Sequence, residues 1–377
     1  MTIGILGGGQ LGYMLALAGY PLDFHFRFLD PSPQAPVGRI APRVTAEYTD
    51  LEALDKFAHG LALVTYEFEN VPVEAALHLA RRLPVYPPPQ ALAAAQDRLS
   101  EKTLFQKLGI ATTEFAIVNS VAELQEAIRK LSLPAVLKTR RLGYDGKGQW
   151  MLRTREDVER LEQEFPAAPL ILEKFVRFTR ELSILAVRGR AGETAFYPLV
   201  ENRHRGGILR LSLAPAPRLT ASLQQEAEGA ARRLLEALEY VGVLAVELFE
   251  FDGHLVANEI APRVHNSGHW SIEGAVTSQF ENHLRAVAGL PLGETRTLGH
   301  SAMLNLIGEL PDTGELLAAP DAHLHAYGKT LRPGRKVGHV TLRADSAEQL
   351  AARLRQLPAF FQREQFCLYP HATSSAK

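Results

Sequence analysis

Between residues 245 and 260 two apolar runs, AVELFEF and HLVANEI, flank the dipeptide Asp252-Gly253; Glu247 sits in the first and Glu259 in the second. An aspartate-glycine pair between such runs is a strong hairpin signal, so the two segments are expected to pair as antiparallel strands. A strict two-residue turn would set Glu247 opposite Asn258 and send Glu259 to the other face. A three-residue loop with Gly253 in a bulge would put both carboxylates on one face, diagonally displaced. An ionised carboxylate in an apolar strand is costly unless partnered. The partner is either a cation such as Mg²⁺, which prefers carboxylate and phosphate oxygens and keeps several waters, or an arginine such as Arg263. The expectation is a bulge at Gly253 and a shared metal.

The chain of 377 residues exceeds what one compact core accommodates and suggests two or three domains. Lysine plus arginine number 41 against 42 aspartate plus glutamate, so no global field draws it to nucleic acid or a membrane. The single cysteine, Cys367, cannot form an internal disulfide and reads as incidental, which fits a reducing cytoplasm. The apolar start, MTIGILGGGQLG, has no basic leader and reads as a strand, and no apolar run is long enough to span a bilayer.

That strand enters the glycine turn GGGQLG, followed by a helix and by the run HFRFLD ending at Asp30, a βαβ beginning. The glycines fit the G-x-G-x-x-G fingerprint of dinucleotide sites, although no second mononucleotide half follows. ALVTYEFENVP repeats the strand-then-loop theme, and PVYPPP at residues 84–89 reads as a rigid boundary. Strands are expected in FAIV, PAVLKT, QWMLR, LILEKFV and ELSILAVR, and a long helix at residues 222–240.

Four further segments carry chemistry. In PAVLKTRRLGYDGKGQW, Lys138 lies among apolar residues, where a phosphate would compensate its charge, and the following glycine-rich loop can bend over an anion. In LILEKFVRFTREL, the Lys174–Val176 backbone could meet an adenine edge, with Glu173 at the strand end and Glu181 available to ribose hydroxyls. APRVHNSGHW gathers Arg263, His265, Asn266, Ser267 and His269 directly after the glutamate strand, a substrate-orienting loop. RPGRKVGH places Arg332, Arg335 and Lys336 around two glycines, a phosphate clamp or a solvated turn.

Taken in order, GGGQLG, YEFEN, LKTRRLGYDGKGQW, NEIAPRVHNSGHW and RPGRKVGH resemble the N5-carboxyaminoimidazole ribonucleotide synthases of the ATP-grasp superfamily, from residue 3 to about 345. The resemblance implies an α/β and α+β molecule with a Rossmann-like pre-ATP-grasp domain at 1–95. A two-lobed ATP-grasp domain would follow at 96–295, with a lid at about 142–149, then a small β-rich domain at 296–377. It implies ATP-dependent carboxylation of 5-aminoimidazole ribonucleotide by bicarbonate through carboxyphosphate, with Mg²⁺, in a cytoplasmic homodimer.

Carried over position by position, Lys102 and Lys138 would contact ATP phosphates. Gly143, Tyr144, Asp145, Gly146, Lys147, Gly148 and Gln149 would form the lid, with Lys147 where arginine is frequent. Glu173, Lys174, Phe175 and Val176 would hold the adenine, Glu181 the ribose, and His204 would also lie at the nucleotide. Glu247 and Glu259 would bind magnesium, with Asn258 beside them. Tyr144, Asp145, Arg263, His265, Asn266, Lys329, Arg335 and Lys336 would surround ribonucleotide and bicarbonate, with Gln10, Leu11 and Glu67 lining the pocket from the N-terminal side.

Other readings compete. A nicotinamide-dependent oxidoreductase fits the opening glycines and Asp30 but leaves Lys138, the lid and the glutamate pair unexplained. A non-catalytic ATP-binding module fits the fold, not the full set Lys138, Glu247, Glu259 and His265. Formate-dependent glycinamide ribonucleotide transformylase and biotin carboxylase are rivals within the superfamily, and the NSGHW tail favours the aminoimidazole substrate.

Overall fold

The computed structural model describes residues 1–143 and 148–363. Tyr144, Asp145, Gly146 and Lys147 of the expected lid, and Cys367, lie outside the described residues.

The chain opens on a parallel sheet of β1 (Thr2–Leu6), β2 (His25–Leu29), β3 (Arg43–Val44) and β4 (Leu63–Tyr66), in the order β3-β2-β1-β4. Helix α1 (Gln10–Gly19) starts directly off the glycine turn, and α2 (Leu51–Ala58), α3 (Val73–Ala80) and α4 (Pro89–Ala95) complete the unit. Ile3, Ile5, Leu63 and Val64 are fully buried, as expected of parallel strands covered on both faces. The proline run does more than mark a boundary. Val85 bridges Val64 in parallel, and the Val64 N–H donates to the Pro84 carbonyl at 2.9 Å, so the segment extends the sheet edge before Pro89 starts α4.

After α5 (Arg98–Lys107), β5 (Phe115–Val118), α6 (Val121–Leu131), β6 (Ala135–Thr139), β7 (Gln149–Leu152), α7 (Arg155–Gln163) and β8 (Leu170–Lys174) form a small antiparallel sheet, ordered β5-β8-β6-β7. The apolar faces of α6 and α7 (Leu124, Ile128, Val158, Leu161) close one side of it. The other side keeps Lys138 and Glu173 facing a cavity.

The remaining strands are β9 (Arg180–Arg188), β10 (Thr194–Phe196), β11 (Val200–Arg205), β12 (Ile208–Ala214), β13 (Gly242–Phe251), β14 (His254–Ala261), β15 (His300–Ile307), β16 (Ala322–Ala326) and β17 (Lys336–Ala344). They form one sheet ordered β14-β13-β9-β11-β12-β15-β17-β16, with β10 on β9. The C-terminal strands therefore continue this sheet through β12–β15 pairing instead of forming their own. Helices α8 (Ala221–Ala237), α9 (Ser271–Gly274), α10 (Gln279–Ala288), α11 (Thr313–Leu317) and α12 (Ala347–Gln356) cover it. One core runs from Ile3 and Phe26 through Leu284 of α10 to Val243 and Trp270, locking the N-terminal unit against the large sheet.

The glutamate hairpin departs from expectation in an informative way. Its turn is the strict two-residue form: Phe251 pairs with His254, and Asp252 and Gly253 take positive φ of 52° and 75°. The expected bulge at Gly253 is absent. The register shifts instead between Leu248↔Ala257 and Glu247↔Glu259, leaving Asn258 as the extra residue. Long-range contacts set this position. The Ala257 N–H donates to the Ala111 carbonyl at 2.7 Å, and Lys102 Nζ holds the Asn258 carbonyl at 2.8 Å. The two glutamates become direct cross-strand neighbours on one face, closer than the diagonal placement expected.

Candidate functional site

Along β13, Val243 and Ala245 point into the core, and the same face then carries Glu247 and Phe249 out into a cavity of about 560 Å³. One wall is apolar: Val136, Met151, Phe178, Leu209 and Phe249. Phe178 and Phe249 lie stacked, with ring centroids 4.6 Å apart and planes within 6°. The other wall is charged and includes Arg98, Lys138, Glu173, Glu247, Glu259, Arg263, His265 and Lys336.

Among the described residues every carboxylate of the charged wall has a cationic or imidazole partner. Glu173 accepts from Lys138 Nζ at 2.9 Å, with Lys102 Nζ at 3.5 Å. Burial pushes the Glu173 carboxyl up, but Lys102 and Lys138 outweigh it and bring it to about 2. Glu247 meets His265 Nε2 at 3.1 Å, and Glu259 meets Arg98 at 2.9 Å. For Glu247 burial is again outweighed, by the His265 hydrogen bond and by the His265, His204 and Lys336 charges, to about 2. The arginine considered for these glutamates, Arg263, pairs instead with Glu69. Glu181 forms an ion pair with His204 at 2.7 Å; burial lowers the imidazole, and Glu181 more than reverses it.

Several expected roles shift. Glu67 does not line the cavity; its carboxylate accepts the N–H groups of Gly9 at 2.6 Å and Gly12 at 2.9 Å, while Asp30 accepts that of Gly8 at 2.6 Å. Burial raises the Glu67 carboxyl, and the two backbone donors and Lys329 offset this only in part. The anion site of the glycine fingerprint is therefore filled by the chain's own carboxylates. Lys102 is buried behind the wall on Asn258 and Glu173. Within the adenine segment, the Lys174 and Phe175 N–H groups donate to Glu114 and Pro134, and the Lys174 carbonyl accepts from Thr113. The expected backbone edge thus narrows to Val176, whose N–H has no partner among the described residues. Lys329 and Arg335 do not line the cavity: Lys329 bonds Gln10 Oε1, and Arg335 reaches the Thr330 carbonyl.

Gly143, Gln149, Gln10, Leu11, Asn266 and Lys336 are brought to the cavity as expected. Sequence reasoning missed Arg98, Glu69 and Glu101. Glu101 is buried beside Glu259 and accepts the Ile260 N–H at 2.6 Å. Glu69 stands two residues after Glu67 in YEFEN, and that spacing was the available signal.

Two opposed carboxylates and the buried, unpartnered Oδ1 of Asn258 make an all-oxygen donor set suited to Mg²⁺. Among the described residues no three or more His, Cys, Asp or Glu side chains converge as a metal cage. An ion here would complete its shell from ligand and water oxygens.

Family models match the chain in three consecutive pieces. These are the ribonucleotide synthetase preATP-grasp domain over residues 1–96, the ATP-grasp domain over 103–280 and the phosphoribosylaminoimidazole carboxylase C-terminal domain over 301–353. The chain is similar to the N5-carboxyaminoimidazole ribonucleotide synthase of Pseudomonas aeruginosa, 54% identical over 96% of this chain and 100% of that protein. It superposes on the crystal structure of N5-carboxyaminoimidazole ribonucleotide synthetase from Thermus thermophilus with a TM-score of 0.91 and 61% identity, covering 95% and 98% of the two chains. The Aspergillus clavatus synthase, in complex with ADP and 5-aminoimidazole ribonucleotide, matches at a TM-score of 0.89 and 32% identity over 96% and 98%.

Proposed function

The chain belongs to the N5-carboxyaminoimidazole ribonucleotide synthases, and from that premise we propose how its cavity performs their reaction. The activity is the ATP-dependent synthesis of N5-carboxyaminoimidazole ribonucleotide in purine biosynthesis. The observation that carries the site reading is the direct opposition of Glu247 and Glu259 between an apolar slot and the Arg263–Asn266 loop. Adenine fits the slot against Phe178 and Phe249, with Val176 at its edge and the Glu181–His204 pair toward the ribose. Lys138 points at the triphosphate and exchanges Glu173 for it.

Magnesium fits Glu247 and Glu259, where it would neutralise the β- and γ-phosphate oxygens. On this reading bicarbonate attacks the γ-phosphorus and ADP leaves. The exocyclic amine of 5-aminoimidazole ribonucleotide then bonds the carboxyl carbon, either of carboxyphosphate as its C–O bond to inorganic phosphate breaks or of CO₂ released from it, and the nitrogen gives up a proton. The protein contributes positioning and charge neutralisation. Arg263, held by Glu69, presents its guanidinium to the developing carboxyl-phosphate charge, and His265 holds its Nε2 proton against Glu247 at the edge of the site. Gln10 and Lys336 face the ribonucleotide from the opposite side, and Lys329, bonded to Gln10, and Arg335, next to Lys336, add positive charge behind them. Gly143–Gln149, including Tyr144 and Asp145, close over the labile intermediate and exclude water.

The three units are taken as 1–95, 96–295 and 296–377, in a cytoplasmic homodimer. No helix among the described residues is long and apolar enough to cross a membrane. Phosphate release from ATP and bicarbonate, with and without 5-aminoimidazole ribonucleotide, tests the assignment. Stimulation by the ribonucleotide with formation of the carboxylated product is expected, and its absence would sink the reading.

A further inference from the structure

We infer that Gln279, outside the cavity, is a positioning residue that fixes His265 for the carboxyl-transfer half of the reaction. This rests on the function proposed above. Gln279 is the first residue of α10 and is fully buried. Its Oε1 accepts the His265 N–H at 2.8 Å and its Nε2 donates to the His265 carbonyl at 2.7 Å. A primary amide thus pairs with both polar groups of one residue, as a neighbouring β-strand would. The orientation admits no flip, because a backbone N–H only donates and a carbonyl only accepts. The second Nε2 hydrogen faces His269 Nδ1 at 3.3 Å. On the other side of the residue, Ser271 Oγ accepts the Gln279 N–H at 2.9 Å.

His265 is held at the ring as well. Its Nδ1 accepts from the Ser267 N–H at 3.3 Å and lies 2.9 Å from Ser267 Oγ, which in turn bonds Ser183 at 2.8 Å. With Nδ1 an acceptor, the ring carries its proton on Nε2 and aims it at Glu247. Gln279 therefore sets the backbone from which the ring projects, while the serines set the ring's rotation. There is little room to relax: a Cβ on Gly268 would come within 2.7 Å of the Gln279 amide. None of these contacts involves Lys138, Glu173, Val176 or the Phe178–Phe249 slot, so the adenine and Lys138 contacts do not depend on Gln279, and Glu247 on His265 is the link to the metal side.

The test uses the full-length protein and the isosteric variant Gln279→Glu, with Gln279→Met as a second variant should the first fold poorly. A carboxylate keeps the acceptor and loses the donor; methionine loses both. With ¹⁵N-labelled histidine and no nucleotide, the His265 ring signals, identified by their loss in His265→Asn, are expected to shift and broaden. The signals of His78, far off on α3, should stay in place. In turnover, kcat/KM for the ribonucleotide and for bicarbonate should fall about 10–100-fold, the range seen for supporting residues behind a reactive group. The KM for magnesium-ATP, whose only link to Gln279 among these contacts runs through His265 and Glu247, should rise less than the KM for the ribonucleotide, and ADP formed per carboxylated product should rise above the wild-type ratio.

Unmoved His265 signals would overturn the inference. So would a kcat loss spread evenly with every KM and the coupling ratio unchanged, the mark of a merely smaller folded fraction. Wild-type protein lacking ribonucleotide-stimulated phosphate release would sink the proposed function instead; the His265 signals, which need no reaction, would still decide the positioning claim.

Discussion

Glu67 accepts the backbone N–H groups of both Gly9 and Gly12, so the glycine turn at the head of α1 is closed by a carboxylate from the end of β4. The donors that a dinucleotide pyrophosphate would need are already engaged. Titration with NADH is expected to give no saturable fluorescence change, and a saturable curve would restore the oxidoreductase reading. Glu67→Gln turns an amide donor toward a backbone N–H. It should cost about 1–3 kcal/mol, read as a lower urea midpoint.

Replacing Glu259 or Glu247 with Gln removes one of the two opposed anions without changing side-chain volume. Turnover with magnesium-ATP is expected to drop by about 100-fold or more, while the far-ultraviolet dichroism stays that of the wild type. Near-normal turnover in either variant would mean that the metal is held elsewhere.

Glu173 carries a stability signature with a definite sign. Its folded carboxyl is held at about 2, below the roughly 4.3 of an unfolded glutamate. Between those values the unfolded chain binds more protons, so the stability is present above about pH 4 and is lost as pH falls toward 2. Glu173→Gln leaves Lys138 and Lys102 without their anion at neutral pH. The gap in urea midpoint between wild type and variant should be widest near neutrality and shrink as the medium is acidified through that window. A gap independent of pH would show that Glu173 contributes by packing alone.

Lys329 offers a second titration in the opposite range. Burial lowers its ammonium to about 8, with Glu67 resisting and Arg335, Lys336 and Arg332 assisting. A lowered base loses its charge above that value, so its attraction for a ribonucleotide phosphate fades as pH rises through about 8. The KM for 5-aminoimidazole ribonucleotide is expected to climb over that interval in the wild type. In Lys329→Arg, which stays charged, the climb should be absent; an unchanged climb would remove Lys329 from the substrate side.

Much of this is legible in the sequence. Motif order placed Lys138, the Arg263–Asn266 loop and the glutamate hairpin in one molecule, because each is a local signal on a strand or turn. What was not readable depends on contacts across the chain. The bulge falls at Asn258 because Ala111 and Lys102, more than a hundred residues upstream, hold that stretch of β14. The roles of Glu67 and Glu69 were indistinguishable in YEFEN, since each could turn inward; packing sends the first to the glycine turn and the second to Arg263. Gln279 gave no local signal, because what it holds lies 14 positions earlier.

The extra residue at Asn258 acts as a parity bit. Strand side chains alternate with a period of two. Glu259 lies one residue further from the tight turn at Asp252-Gly253 than Glu247 does, so a regular ladder would set them on opposite faces, and bulging Asn258 out of register brings them level. Without the contacts from Ala111 and Lys102 that hold this bulge, a regular register would pair Glu247 with Asn258 and aim Glu259 into the opposite face, among Leu244, Val246 and Leu248. Alignment gaps within β14 thus carry meaning: a relative one residue shorter between turn and glutamate would oppose the same two carboxylates in an unbulged ladder.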